Sequence, residues 1–179
     1  MRLFLKVVMF WISAVVLVTA QDAPAVKWGE QFKELSNSFL SKIVATGAEG
    51  FYTLRVRPAS TLERRKVFLE YYSDAMNLKK ARELQLKYKG KRREFQDVVM
   101  LGQQLYLITS FHNEAKHKNY LFRQKIHNTR LTTSDHDLEL ISEIDTRSIV
   151  REGTFDLVQS RDSSKLLIYN KIPYHHKAV

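Results

Sequence analysis

From Lys42 onward the chain runs in short stretches of alternating apolar and polar residues separated by turn-forming groups. A two-residue alternation puts successive side chains on opposite faces of a strand, so the pattern predicts β-structure rather than helix. Lys42–Thr46 and Phe51–Arg57 flank Gly47-Ala48-Glu49-Gly50 and read as a hairpin whose glycines can take positive φ. Val67–Tyr72, the turn at Asp74–Asn77 and a longer strand near Ala81–Tyr88 follow a polar loop at Pro58–Arg65. In Val67–Tyr72 the apolar run is nearly continuous, as expected of a strand covered on both faces.

The order then recurs. Phe95–Leu101 and Leu105–Phe111 form a second hairpin about Gly102-Gln103. A loop at His112–Lys118, strands at Tyr120–Ile126 and Leu138–Ile144, and the turn Asn128-Thr129-Arg130 complete that unit. A third hairpin pairs Phe155–Gln159 with Lys165–Asn170 across Arg161–Ser164. The three hairpins start about 55 residues apart, a spacing typical of stacked or radial units that bury their apolar faces against neighbours. The expected fold is therefore all-β: antiparallel four-stranded units of a partial β-propeller, with a β-sandwich as the alternative. Residues 42–179 hold two complete units, about 42–88 and 95–145, and a third cut after its hairpin. Propellers close with at least four blades, so the expectation is the front portion of a longer protein or a shortened paralogue.

The first 20 residues break the pattern. Arg2 and Lys6 precede an apolar run from Val7 to Ala20, and Val18 and Ala20 are small enough for the −3 and −1 cleavage sites. That layout predicts a secretory signal peptide over 1–20 with a mature chain beginning at Gln21; the run is short for a spanning anchor. Residues 21–41 are an N-terminal strand and lead-in, with Trp28 and Phe32 on one face of a Val26–Leu35 strand. The chain contains no cysteine, so export into an oxidising compartment adds no disulfide staple. The expected location is the periplasm or cell surface.

The net charge of +10 falls to +8 once Arg2 and Lys6 leave. The densest basic run is Lys87-Tyr88-Lys89-Gly90-Lys91-Arg92-Arg93, with smaller groups at Arg64-Arg65-Lys66 and Lys79-Lys80. Lys87, Lys89, Lys91, Arg92 and Arg93 are the candidate polyanion-binding residues, for glycan, lipid head group or nucleic acid, against the simpler reading of a solvated loop. The strand aromatics are read as core packing rather than base-stacking platforms.

No catalytic signature emerges. The six histidines lack an HExxH frame, a cysteine partner or carboxylate-flanked spacing, so no metal site is expected. Asp135-His136-Asp137 lacks a calcium-loop pattern and reads as an acidic loop; Ser134, Ser163 and Ser164 stand outside any nucleophile elbow. Gly-rich phosphate loops are absent, and no cofactor is expected.

Two resemblances bear on these residues. Ser160 to Tyr169 (SRDSSKLLIY) resembles the S-x-D-small-small-K-apolar-x-apolar hairpin of WD-like propellers in periplasmic Tol-system proteins. More broadly, residues 27–174 resemble uncharacterised exported propeller-like proteins of the Bacteroidota. The resembling stretches include Gly50–Arg55, Leu69–Tyr72, Tyr88–Lys91, Gln104–Leu107, Thr109–Phe111 and Glu143–Arg147. The likeness implies a fold and supplies no active-site residues. The expected role is a non-enzymatic binding or scaffold module whose partner is another protein or a cell-envelope component. Polyanion binding and an accessory propeller of a longer hydrolase are the alternatives. No specific nucleic acid is expected, and open sheet edges predict oligomers or aggregation.

Overall fold

Hairpin pairing between chain neighbours organises the whole structure. The computed structural model describes residues 37–61, 64–146 and 154–171. The expected signal peptide and the Val26–Leu35 strand lie outside them. The first sheet is an antiparallel meander of β1 (Phe39–Gly47), β2 (Gly50–Arg57), β3 (Lys66–Ser73) and β4 (Leu78–Glu83), in that order. Its β2–β3 ladder is unbroken from Gly50↔Ser73 to Arg57↔Lys66. Gly50 is required where the chain enters β2: its φ is 150°, and a Cβ there would meet the Tyr72 carbonyl oxygen at 2.0 Å.

A short ribbon of β5 (Lys87–Tyr88) and β6 (Lys91–Arg92) links the first sheet to the second. Lys89 and Gly90 between them have φ of 46° and 76°, the positive pair that a tight two-residue turn demands. The second sheet is another meander, of β7 (Glu94–Leu101), β8 (Gln104–Asn113), β9 (Lys118–His127) and β10 (Thr132–Asp145). The third unit is the hairpin β11 (Thr154–Gln159) and β12 (Leu166–Lys171).

Three sequence expectations need correction. The strand placed at Ala81–Tyr88 is two elements, because β4 ends at Glu83. Leu84 then turns into the core, donating its N–H to the Val67 carbonyl at 2.8 Å. The loop at His112–Lys118 is shorter than expected: β8 runs on to Asn113 and β9 begins at Lys118, leaving a 3-10 turn over Glu114–Lys116 and His117. Asn113 caps that turn, and His117 ends it with a φ of 49°. Asp135-His136-Asp137 is not a separate loop but a bulge inside β10, where the register jumps from Thr133↔Ile126 to Leu138↔Gln124.

Alternation along the strands sorts side chains into two apolar layers. Leu54, Val67 and Leu69 of the first sheet meet Val98, Leu105, Leu107 and Ile126 of the second, with Leu84 and Leu131 filling the rim. Val99, Ile108, Leu121 and Ile144 project from the opposite face of the second sheet against Phe155, Leu157, Leu166 and Ile168. The second sheet is thus the middle layer. Each fully buried aliphatic side chain contributes about 1.5–3 kcal/mol by leaving water. Polar ties align the layers: Lys42 pairs with Asp97 at 2.6 Å, Lys80 Nζ donates to the Thr129 carbonyl at 2.8 Å, and the Gly102 N–H donates to the Ser163 carbonyl at 2.9 Å. Gln159 Nε2 also donates to the Met100 carbonyl.

Candidate functional site: a basic cleft at one end of the strands

β2 runs away from the Gly47–Gly50 turn and β3 returns toward it. The β2–β3 connection and the end of β4 therefore share the opposite end of the sheet. The pairing Phe68↔Glu83 places Arg64, Arg65 and Lys66, at the head of β3, beside the segment that leaves β4. The β5–β6 ribbon follows immediately. A cleft of about 180 Å³ opens here, lined by Arg64, Arg65, Lys66, Lys87 and Arg92, with Glu83 the one carboxylate of its lining among the described residues. Val67 and Leu84, both buried, and the half-buried Leu86 complete its lining.

The five basic residues proposed from the sequence do not act as one strip. Lys87 and Arg92 line the cleft. Arg92 Nη2 reaches the Arg65 carbonyl at 3.5 Å, and the Arg65 guanidinium lies over the Phe95 ring at 5.6 Å. Lys89 and Lys91 are outside its lining; their ammonium groups sit over Tyr88 at 5.3 Å and Phe111 at 5.6 Å.

Arg93 is the correction. It is 3 % exposed and points between the two sheets, donating to Thr109 Oγ1 and Gln124 Oε1 at 3.0 Å each. Its Cζ lies 5.7 Å from the Tyr88 ring centroid. Burial lowers its pKa, opposed by the negative charge of Asp135. Its hydrogen bonds go to neutral oxygens inside the fold, with Asp135 as a nearby charge, so it is unavailable to a ligand in solvent. Alternation along β7 does not give this direction, because the ladder carries a bulge between Phe95 and Asp97 that resets the period next to Arg93. The missing half of the site, Arg64 to Lys66, was visible as a charge cluster. Only the hairpin register joins it to Lys87 and Arg92.

The opposite end carries a larger cleft of about 1000 Å³, lined by hairpin turns and by Tyr52, Tyr71, Asn128 and Asp162. Several of its polar groups are satisfied within the chain. Tyr71 donates to the Glu49 carbonyl at 3.2 Å, and Asn128 Nδ2 donates to the Gln103 carbonyl at 2.8 Å. Asp162 accepts from the Ser160 and Ser164 hydroxyls and the Ser164 N–H, which hold its carboxyl down at about 2. That cleft is larger, but its Asp162 carboxylate is committed to its own turn. Its other carboxylate, Glu49, shares the lining with Arg161, the one cation there among the described residues; the basic cleft presents a convergent charge.

Among the described residues, no three His, Asp or Glu side chains converge to hold a metal ion, and no helix is long and apolar enough to cross a membrane. Compared with known proteins, the chain matches no family model, no curated protein and no solved structure.

Proposed function

We propose that this protein is an exported, non-enzymatic binding module that recognises an anionic polymer of the cell envelope through the basic end of its first sheet. The observation that carries the reading is the convergence of Arg64, Arg65, Lys66, Lys87 and Arg92 on one cleft with, among the described residues, a single opposing carboxylate. Like charges held this close repel one another, and an anionic partner relieves that repulsion while releasing counterions. Lys89 and Lys91 extend the same positive field along the ribbon.

The scaffold in this proposal is a partial β-propeller. Two successive four-stranded meanders stacked face to face, with a third hairpin on the far face, support that reading. So does the approach of the first strands of the two sheets, tied by Lys42 and Asp97. Export rests on residues 1–20 and is tested by mass analysis of the secreted chain. A mature N-terminus at Gln21 supports it, and a product retaining Trp11 overturns it. Binding is tested by retention on immobilised heparin against salt. The native chain is expected to elute late, with log affinity falling linearly with log salt. Replacing Arg64, Arg65, Lys87, Lys89, Lys91 and Arg92 by Gln flattens that slope. Passage of the native chain without retention at low salt overturns the binding assignment.

A further inference from the structure

The geometry points to a discrete receptor for one tetrahedral oxyanion, a sulfate or phosphate ester on a soluble anionic glycan, held by the guanidinium groups of Arg65 and Arg92. This rests on the polyanion reading and narrows it from a charged surface to a single compartment.

Size is the first argument. A cleft of about 180 Å³ accommodates one oxyanion with part of the ring that bears it, not a length of polymer. The second is preorganisation. Arg92 Nη2 lies 3.5 Å from the Arg65 carbonyl and the Arg65 guanidinium lies over the Phe95 ring at 5.6 Å, so both forks are biased toward the cleft before any ligand arrives. A guanidinium presents five N–H donors in a planar fork that suits bidentate contact with an oxyanion. Ordering long side chains in advance lowers the entropy lost on binding.

The walls are fixed as well. The bond from the Leu84 N–H to the Val67 carbonyl and that from the Arg93 N–H to the Leu86 carbonyl, each 2.8 Å, lock the segments on either side. Buried Arg93 thus serves the site through its backbone, anchoring the ribbon that carries Lys87 and Arg92.

Glu83 gives the compartment its selectivity. A carboxylate on the lining disfavours weakly charged ligands and is overcome by a sulfate or phosphate that engages both guanidinia. A membrane source is disfavoured by the cleft's surroundings. None of the exposed large apolar residues, such as Phe39, Leu40 and Leu78, lines it, so among the described residues nothing there is placed to enter a bilayer.

The test titrates a heparin hexasaccharide into the full mature chain by calorimetry, with inorganic sulfate as competitor. Two exposed double variants, Arg65→Gln/Arg92→Gln and Lys89→Gln/Lys91→Gln, are compared after circular dichroism verifies their fold. The expected result is one hexasaccharide per chain and competition by sulfate. The arginine pair should lose about tenfold or more in affinity, and the lysine pair less than about threefold. Glu83→Gln is expected to raise affinity by about two- to fivefold, as a single repulsive charge is removed. Equal losses in both double variants overturn the discrete receptor and leave the charged-surface reading standing. Absence of binding by the native chain at low salt overturns both. Binding to phosphatidylglycerol vesicles but not to the hexasaccharide overturns the soluble glycan as the source.

Discussion

Arg55 and Arg93 are both withdrawn from solvent, yet the fold accommodates their charges in opposite ways. Arg55 lies on the face of the first sheet turned away from the second, where Nε meets Glu70 Oε1 at 2.7 Å. Thr53 Oγ1 and the Tyr72 hydroxyl donate to the other carboxylate oxygen at 3.2 and 2.9 Å. Burial pulls the Arg55 pKa down, but the hydrogen bonds and charges of Glu70 and Tyr72 outweigh it and hold the group above its ordinary value. Arg93 has no carboxylate in contact among its hydrogen-bond partners, only a hydroxyl and an amide oxygen, and its pKa moves the other way. One site is ion against ion in direct contact; the other is an ion whose hydrogen bonds go to neutral dipoles. A buried charge therefore says little about function until its partners are known.

The largest expected effect comes from removing the anion and leaving the cation. Glu70→Leu strands Arg55 and is expected to destabilise the protein by about 3–5 kcal/mol in urea unfolding. The double variant Arg55→Met/Glu70→Leu should regain most of that loss. A double variant as unstable as the single would dissolve the contrast. Arg93→Met has no such orphaned ion. It leaves Thr109 and Gln124 without their donor, for an expected cost of about 1–3 kcal/mol. Its heparin affinity should stay within about twofold of native, because the side chain lies outside the cleft.

A third test moves the comparison to the surface, where Asp162 is held by hydroxyl and amide donors. Its folded pKa of about 2 lies below the ordinary value of 3.8, so its stabilising contribution is fully present above pH 3.8. That contribution is lost as the pH falls through about 2. The Ser164 amide resonance should report this transition, and Asp162→Ala should abolish it. The smallest effect is expected at Lys42–Asp97, whose side chains are 36 % and 25 % exposed. Lys42→Met is expected to change stability by less than about 1 kcal/mol.

Strand positions were legible because alternation and turn residues are local. The centres of β2, β3, β7, β8, β9, β11 and β12 fall where the pattern puts them. The misplacements arise where distant pairing overrides local character. Leu84 leaves the ladder for the core, and Ser134–Asp137 bulges because β9 supplies too few partners. The candidate site divides along the same line. A run of basic residues announces charge but not direction, so Lys87 and Arg92, outward, and Arg93, inward, looked alike in the sequence. Joining them to Arg64–Lys66 required the β3–β4 register, which no composition encodes.

The meander has a consequence for the order of assembly. Every strand of the two four-stranded sheets pairs only with its chain neighbours. Loop closure is therefore short, and pairing can proceed from the N-terminus onward. The first sheet has all its strands once Glu83 has passed, but Leu54, Val67 and Leu69 stay wet until Val98, Leu105 and Leu107 arrive. A chain assembling in this order carries one unfinished interface at a time, first on β2 and β3 and then on the far side of β8. Pulse-labelled amide exchange should show β2–β3 and β8–β9 gaining protection together, with β11–β12 following; protection of the third hairpin first would refute this order.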